Sequence, residues 1–102
     1  MAVQSSHARQ TNTRVDTVDL RDLGSDVLPP EASHVQVTIA GDVPHDGTLV
    51  FELKRRWELD VALGDAEIVS VYDDSALLEK PATIPSWVSV LCSEFGIDEV
   101  TL

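Results

Sequence analysis

The chain has 102 residues, with 18 Asp and Glu against seven Lys and Arg, a formal net charge of −11 and 43% apolar residues. That length holds one domain, and the negative balance excludes a general nucleic-acid binder, which needs a basic surface to displace counterions from phosphates. No apolar run approaches the roughly 18 residues of a membrane helix, and the single cysteine, Cys92, excludes an internal disulfide framework and any zinc site built from several thiolates.

The opening residues 1–14 are polar, carry Arg9 and Arg14 with no acid, and lack the apolar core of a secretory signal. They read as a disordered polar, basic tail, and the ordered domain is expected over residues 15–102. In residues 15–20, Asp16, Val18 and Leu20 alternate with Val15, Thr17 and Asp19, which favours a short strand; Val15, Val18 and Leu23 also fit one helix face. Gly24-Ser25 and Pro29-Pro30 break regular structure, so residues 21–33 read as a connection.

The middle of the chain carries the clearest pattern. Val35, Val37 and Ile39 alternate with polar residues in a strand over 34–40, and residues 41–47 are dense in turn formers. Leu49, Phe51, Leu53, Trp57, Leu59, Val61 and Leu63 are then all odd-numbered, with Arg55 the one interruption, while Glu52, Lys54, Arg56, Glu58 and Asp60 hold even positions. Alternate side chains of a strand share a face, so one side of this stretch is buried and the other wetted. A single strand from 48 to 63 would run to ~53 Å at ~3.3 Å per residue. It must break, and residues 54–56 are the natural place, giving strands at 48–54 and 57–63. The competing reading is a helix, since Val50, Leu53, Trp57 and Val61 also fall near helical spacing.

Closing 41–47 as a loop pairs Ala40 with Thr48, Ile39 with Leu49 and Val37 with Phe51. A type II′ turn at Gly64-Asp65 pairs Leu63 with Ala66, Val61 with Ile68, Leu59 with Ser70 and Trp57 with Tyr72 in a strand at 66–72. Both registers keep the apolar face apolar. Ser75–Lys80 reads as one helical turn. Pro85 opens a helix over 85–95, with Ile84, Val88, Leu91 and Phe95 on one line, Trp87 beside it and Gly96 as a left-handed cap. Val100 and Leu102 alternate with polar neighbours in a last strand at 98–102, which should join the sheet edge at 66–72 or 15–20. The expected fold is α+β: an antiparallel β-meander packed on one α-helix.

No phosphate-binding glycine loop, HExxH, CxxC or GxSxG motif is present, so no cofactor is expected. Asp42, His45 and Asp46 combine imidazole and carboxylates on one loop, a donor set suited to a divalent metal, although Asp and Gly are also what a hairpin loop uses. Lys54, Arg55 and Arg56 form the basic cluster of the ordered domain. They read either as ion pairs with Glu52, Glu58 or Asp73, or as a small-anion site where an Arg fork suits bidentate binding. Trp87 reads as core or as an exposed interface anchor. Cys92, near a helix C-terminus whose dipole opposes a thiolate, reads as a packing residue.

Asp outnumbers Glu and Arg outnumbers Lys, a composition that resembles salt-adapted cytoplasmic proteins. The expected function is a non-catalytic protein-interaction or regulatory module in the cytoplasm, adapted to high salt and partnered by another protein or by itself as a homodimer, with no nucleic acid and no membrane. The alternatives are a small-ligand or anion-binding domain at residues 54–56 and a metal-dependent enzyme centred on His45.

Overall fold

A computed structural model describes residues 13–23 and 33–102. Among these residues seven strands form one sheet: β1 (Thr13–Asp19), β2 (His34–Asp42), β3 (Asp46–Glu52), β4 (Arg55–Ala62), β5 (Asp65–Asp73), β6 (Ala76–Leu78) and β7 (Glu99–Thr101). The first six lie side by side in chain order, each antiparallel to the next. β7 runs parallel to β5 and takes Asp65–Glu67 of it, while β6 takes Val71–Asp73, so the two short strands share the outer edge of β5 end to end. The α-helix α1 (Ser86–Ser93) joins the sheet in an α+β meander. Among the described residues no helix is long and apolar enough to cross a membrane.

The odd-numbered stripe is extended backbone, folded back on itself. Leu49 faces Leu59 and Phe51 faces Trp57, so a hairpin pairs odd with odd and the apolar face survives the turn. The turn falls at residues 53–54, with Leu53 N–H donating to Arg55 O at 3.0 Å. The β2–β3 register is the expected one, Ile39 against Leu49 and Val37 against Phe51. Its ladder extends further, through Gly41 opposite Gly47 and Asp42 opposite Asp46, which leaves a tight turn at residues 43–45 instead of a seven-residue loop. A Cβ on Gly47 would lie 2.2 Å from Ala40 O, so only glycine fits there.

The β4–β5 register differs from expectation. Ala62 pairs with Asp65, so the turn residues are Leu63 and Gly64. Both have positive φ, 53° and 84°, as a type I′ turn requires. A β-bulge follows: Leu59 faces Ile68 but Glu58 faces Ser70, and Val69 is left without an opposite residue. Val71 therefore takes the place against Trp57 that the sequence pattern gives to Tyr72. Tyr72 faces Arg56 on the opposite side of the sheet. Residues 75–80 also depart from expectation. Asp74 and Ser75 both have positive φ in a second two-residue turn, and Ala76–Leu78 return as β6, not as a helical turn.

The core lies on one face of the sheet, from Val35, Val37 and Ile39 through Leu49, Phe51, Leu59 and Ile68. Leu20, in the 3-10 turn Leu20–Leu23 that follows β1, closes one side, held by Leu20 N–H to Ser33 O at 2.7 Å. α1 covers the rest with Trp87, Val88, Leu91 and Cys92. Gly96 and Ile97 fold back over its end: Ile97 N–H reaches Cys92 O and Gly96 N–H reaches Ser93 O, both at 3.2 Å, with Gly96 at φ 81°. β1 begins at Thr13, two residues before the expected start of order. The rest of the expected tail and most of the 21–33 connection lie outside the described residues.

Candidate functional site

The basic cluster sits where two turns meet at one end of the sheet. The β3–β4 turn supplies Lys54, and the first residues of β4 supply Arg55 and Arg56. The β5–β6 turn brings Asp73 and Asp74 alongside. An open pocket of about 450 Å³ lies here, lined by Glu52, Lys54, Arg55, Arg56, Glu58 and Tyr72 among others. Tyr72 reaches it because the bulge at Val69 turns the aromatic ring away from the core; nothing in the local sequence signals that bulge.

Each arginine has an acidic partner. Arg56 Nε lies 2.9 Å from Glu58 Oε2, and Ser70 Oγ donates to Glu58 Oε1 at 2.9 Å, so one carboxylate holds both. Arg55 Nε lies 3.9 Å from Asp73 Oδ2. Arg55 is on the apolar parity of its strand, and its place at the strand's start lets it reach solvent and Asp73 together. Lys54 forms no ion pair among the described residues. Glu52, Glu58 and Asp74 balance the three cations of the lining, so the pocket presents mixed charge and one uncommitted ammonium group.

Asp42, His45 and Asp46 lie at the β2–β3 turn. Among the described residues no three His, Cys, Asp or Glu side chains converge to hold an ion. The turn is held by its main chain: His45 N–H donates to Asp42 O at 2.7 Å, and His45 O and Pro44 O accept from Leu63 N–H and Gly64 N–H, both at 2.8 Å. Asp98 N–H donates to Gly64 O at 2.8 Å. These bonds lash together two hairpin turns and the segment after α1, which is why the loop is rich in turn formers.

Trp87 is a core residue and is not available as an exposed anchor. It is 5% exposed, packed edge-to-face with Trp57 at 5.5 Å between ring centroids and tilted against Phe51 at 6.2 Å. Trp87 thus takes the aromatic role beside Trp57 expected of Tyr72. Among the described residues the buried Trp57 Nε1 finds no hydrogen-bond partner. Cys92 is fully buried, and burial pushes its thiol up to about 12, which removes the thiolate needed of a nucleophile near neutral pH.

β7 joins β5 and not the 15–20 edge that the sequence offered as the alternative, which leaves the outer edge of β1 without it. Among the described residues β1 pairs with β2 alone, and Thr13 through Thr17 are exposed, Val15 at 53%. An open edge of this length is a row of backbone donors and acceptors free to pair with another strand. No family model matches the chain, and neither the curated proteins nor the solved structures contain a match to it.

Proposed function

We propose that the chain is a non-catalytic interaction module of a salt-rich cytoplasm, and that it engages a protein partner by adding a strand to β1. One observation carries this reading: β1 is a seven-residue edge strand, exposed along most of its length and paired on one side only among the described residues. Strand addition draws affinity from main-chain hydrogen bonds and specificity from alternate side chains. The test is affinity capture in molar KCl with the wild-type chain and with Val15→Lys, a charge of the kind that blunts sheet edges. The side chain of Val15 is outside the core, so the variant should melt as the wild type does. The expected result is a protein retained by the wild type and lost with the variant. Retention of the same proteins by both would overturn the reading.

A second reading rests on the pocket at residues 54–56. Lys54, without an ion pair among the described residues, and Tyr72 beside Arg56 suit a small anion with a planar or hydroxylated body. A concentration-dependent rise in melting temperature with phosphate or a nucleotide, lost in Lys54→Ala, is the expected outcome; no rise with any anion removes it.

A further inference from the structure

We infer that the strand added to β1 is the β1 of a second copy, paired antiparallel about Val15. This rests on the preceding reading of β1 as the interacting edge and names its partner.

In a regular antiparallel ladder, opposite residues point to the same face. A two-fold axis between identical strands must then pass through one residue paired with itself. The described strand offers few such centres. A centre at Arg14 sets arginine against arginine, and one at Asp16 sets aspartate against aspartate. A centre at Thr17 sets Asp16 against Val18 and Val15 against Asp19. Among the centres that pair five or more described residues, Val15 matches charge and polarity at each of them: Val15 meets Val15, Arg14 meets Asp16, and Thr13 meets Thr17, each pair occurring twice except the first.

The side chains are already arranged for this. Arg14 Nε lies 3.5 Å from Asp16 Oδ2 within the strand, so both point to one face and are within reach of each other. A second copy placed opposite turns this pair into a square of alternating charges, with each arginine beside an aspartate along the strand and another across it. Arg14 and Asp16 oppose Ile39 and Val37 of β2, on the helix-bearing side, while Val15 opposes Thr38 on the bare side. The exposed valine is thus covered by its own copy. An edge guarded against self-pairing carries charge of one sign; this edge carries a self-complementary pattern.

Global charge points to the same place. Residues 1–15 contain no acid, and all 18 acidic residues follow them. The first half of β1 therefore borders the least acidic stretch of the chain, where two copies that each carry −11 meet least repulsion.

Two measurements on the full chain in molar KCl decide it. Sedimentation equilibrium from micromolar to millimolar concentration is expected to show a monomer–dimer equilibrium. Val15→Cys should form an intermolecular disulfide on mild oxidation, because directly opposed Cβ atoms lie about 4.5–5.5 Å apart, within about 1 Å of the separation a disulfide spans. Thr17→Cys should cross-link at least tenfold more slowly, since its partner is then Thr13, and buried Cys92 does not compete. A strict monomer, or a dimer that cross-links as fast at residue 17 as at residue 15 or at neither, overturns the self-pairing. If the monomer still captures another protein in a Val15-dependent way, the interaction reading stands and only the identity of the partner fails.

Discussion

Asp19 ends β1 and holds the turn that delivers Leu20 to the core. Its carboxylate accepts from Arg21 three times: from the backbone N–H and Nε at Oδ1, both at 3.0 Å, and from Nη2 at Oδ2, at 2.8 Å. The Arg21 side-chain hydrogen bonds, followed by its backbone bond, hold the Asp19 carboxyl at about 2, below its ordinary 3.8. A carboxyl lowered in the fold favours the fold above its ordinary value and loses that contribution as pH falls through about 2. Arg21→Ala should therefore move the Asp19 titration, followed by carboxyl NMR, back toward 3.8. It should also shift the acid limb of the unfolding curve to higher pH. An unmoved carboxyl would mean that Arg21 is not the cause. His34 Nε2, 3.5 Å from the same carboxylate, adds attraction when protonated.

At the scale of elements, the two hairpin turns of β5 place three non-glycine residues at positive φ, Leu63, Asp74 and Ser75. Leu63 stands at φ 53° with its side chain 85% exposed, so it bears left-handed strain without burying anything in return. Asn tolerates that conformation and leads Asn-Gly, the preferred type I′ pair. Leu63→Asn should stabilise the fold by about 0.5–1 kcal/mol, read as a urea midpoint raised by roughly 0.5 M at an unchanged slope. A lowered midpoint would show that Leu63 makes contacts the turn depends on. The same turn explains what was legible beforehand. The alternation from Leu49 to Leu63, with Arg55 its one interruption on the apolar parity, and the flanking glycines marked the strand type, the β2–β3 register and the covered face, because a one-residue slip there would bury Glu52 or Glu58. The helix was legible from Pro85 to Gly96 for a comparable reason: the apolar spacing and the cap agree. The β4–β5 register was not, since a rule that reserves positive φ for glycine places the turn at Gly64-Asp65 and misses Leu63. Nor does any local residue announce that Val69 bulges outward, which moves Val71 against Trp57 and Tyr72 into the pocket. The same blindness hid β6, whose turn uses Asp74 and Ser75. Of the site, the pairing of Arg55 and Arg56 with acids was readable from composition, whereas the open edge of β1 depends on strand order, a non-local property.

Across the whole molecule, the acidic charge acts through particular neighbours in the ladder. Asp42 lies opposite Asp46, Asp60 opposite Glu67, and Asp65 opposite Glu99. Like charges placed directly across a sheet oppose its formation. The last two pairs crowd one surface hollow, lined by all four of those carboxylates. Against them stand two opposite-sign pairs, Glu52 with Arg56 and Arg55 with Asp73. The balance therefore weakens the sheet wherever carboxylates see one another through water. At ~0.1 M salt the screening length is ~10 Å, longer than the span of such a pair, and at ~1 M it is ~3 Å, shorter than it. The melting temperature should therefore rise markedly between about 0.1 M and about 2 M KCl. Glu67→Lys gives the direct check, because it converts one repulsive pair into an attractive one on an exposed position. It should raise the low-salt midpoint, leave the high-salt midpoint nearly unchanged, and so narrow the gap between them. Equal wild-type midpoints at the two salt concentrations would show that these carboxylate pairs do not limit the fold. A variant whose gap is as wide as the wild type's would place the salt effect elsewhere than in the ladder.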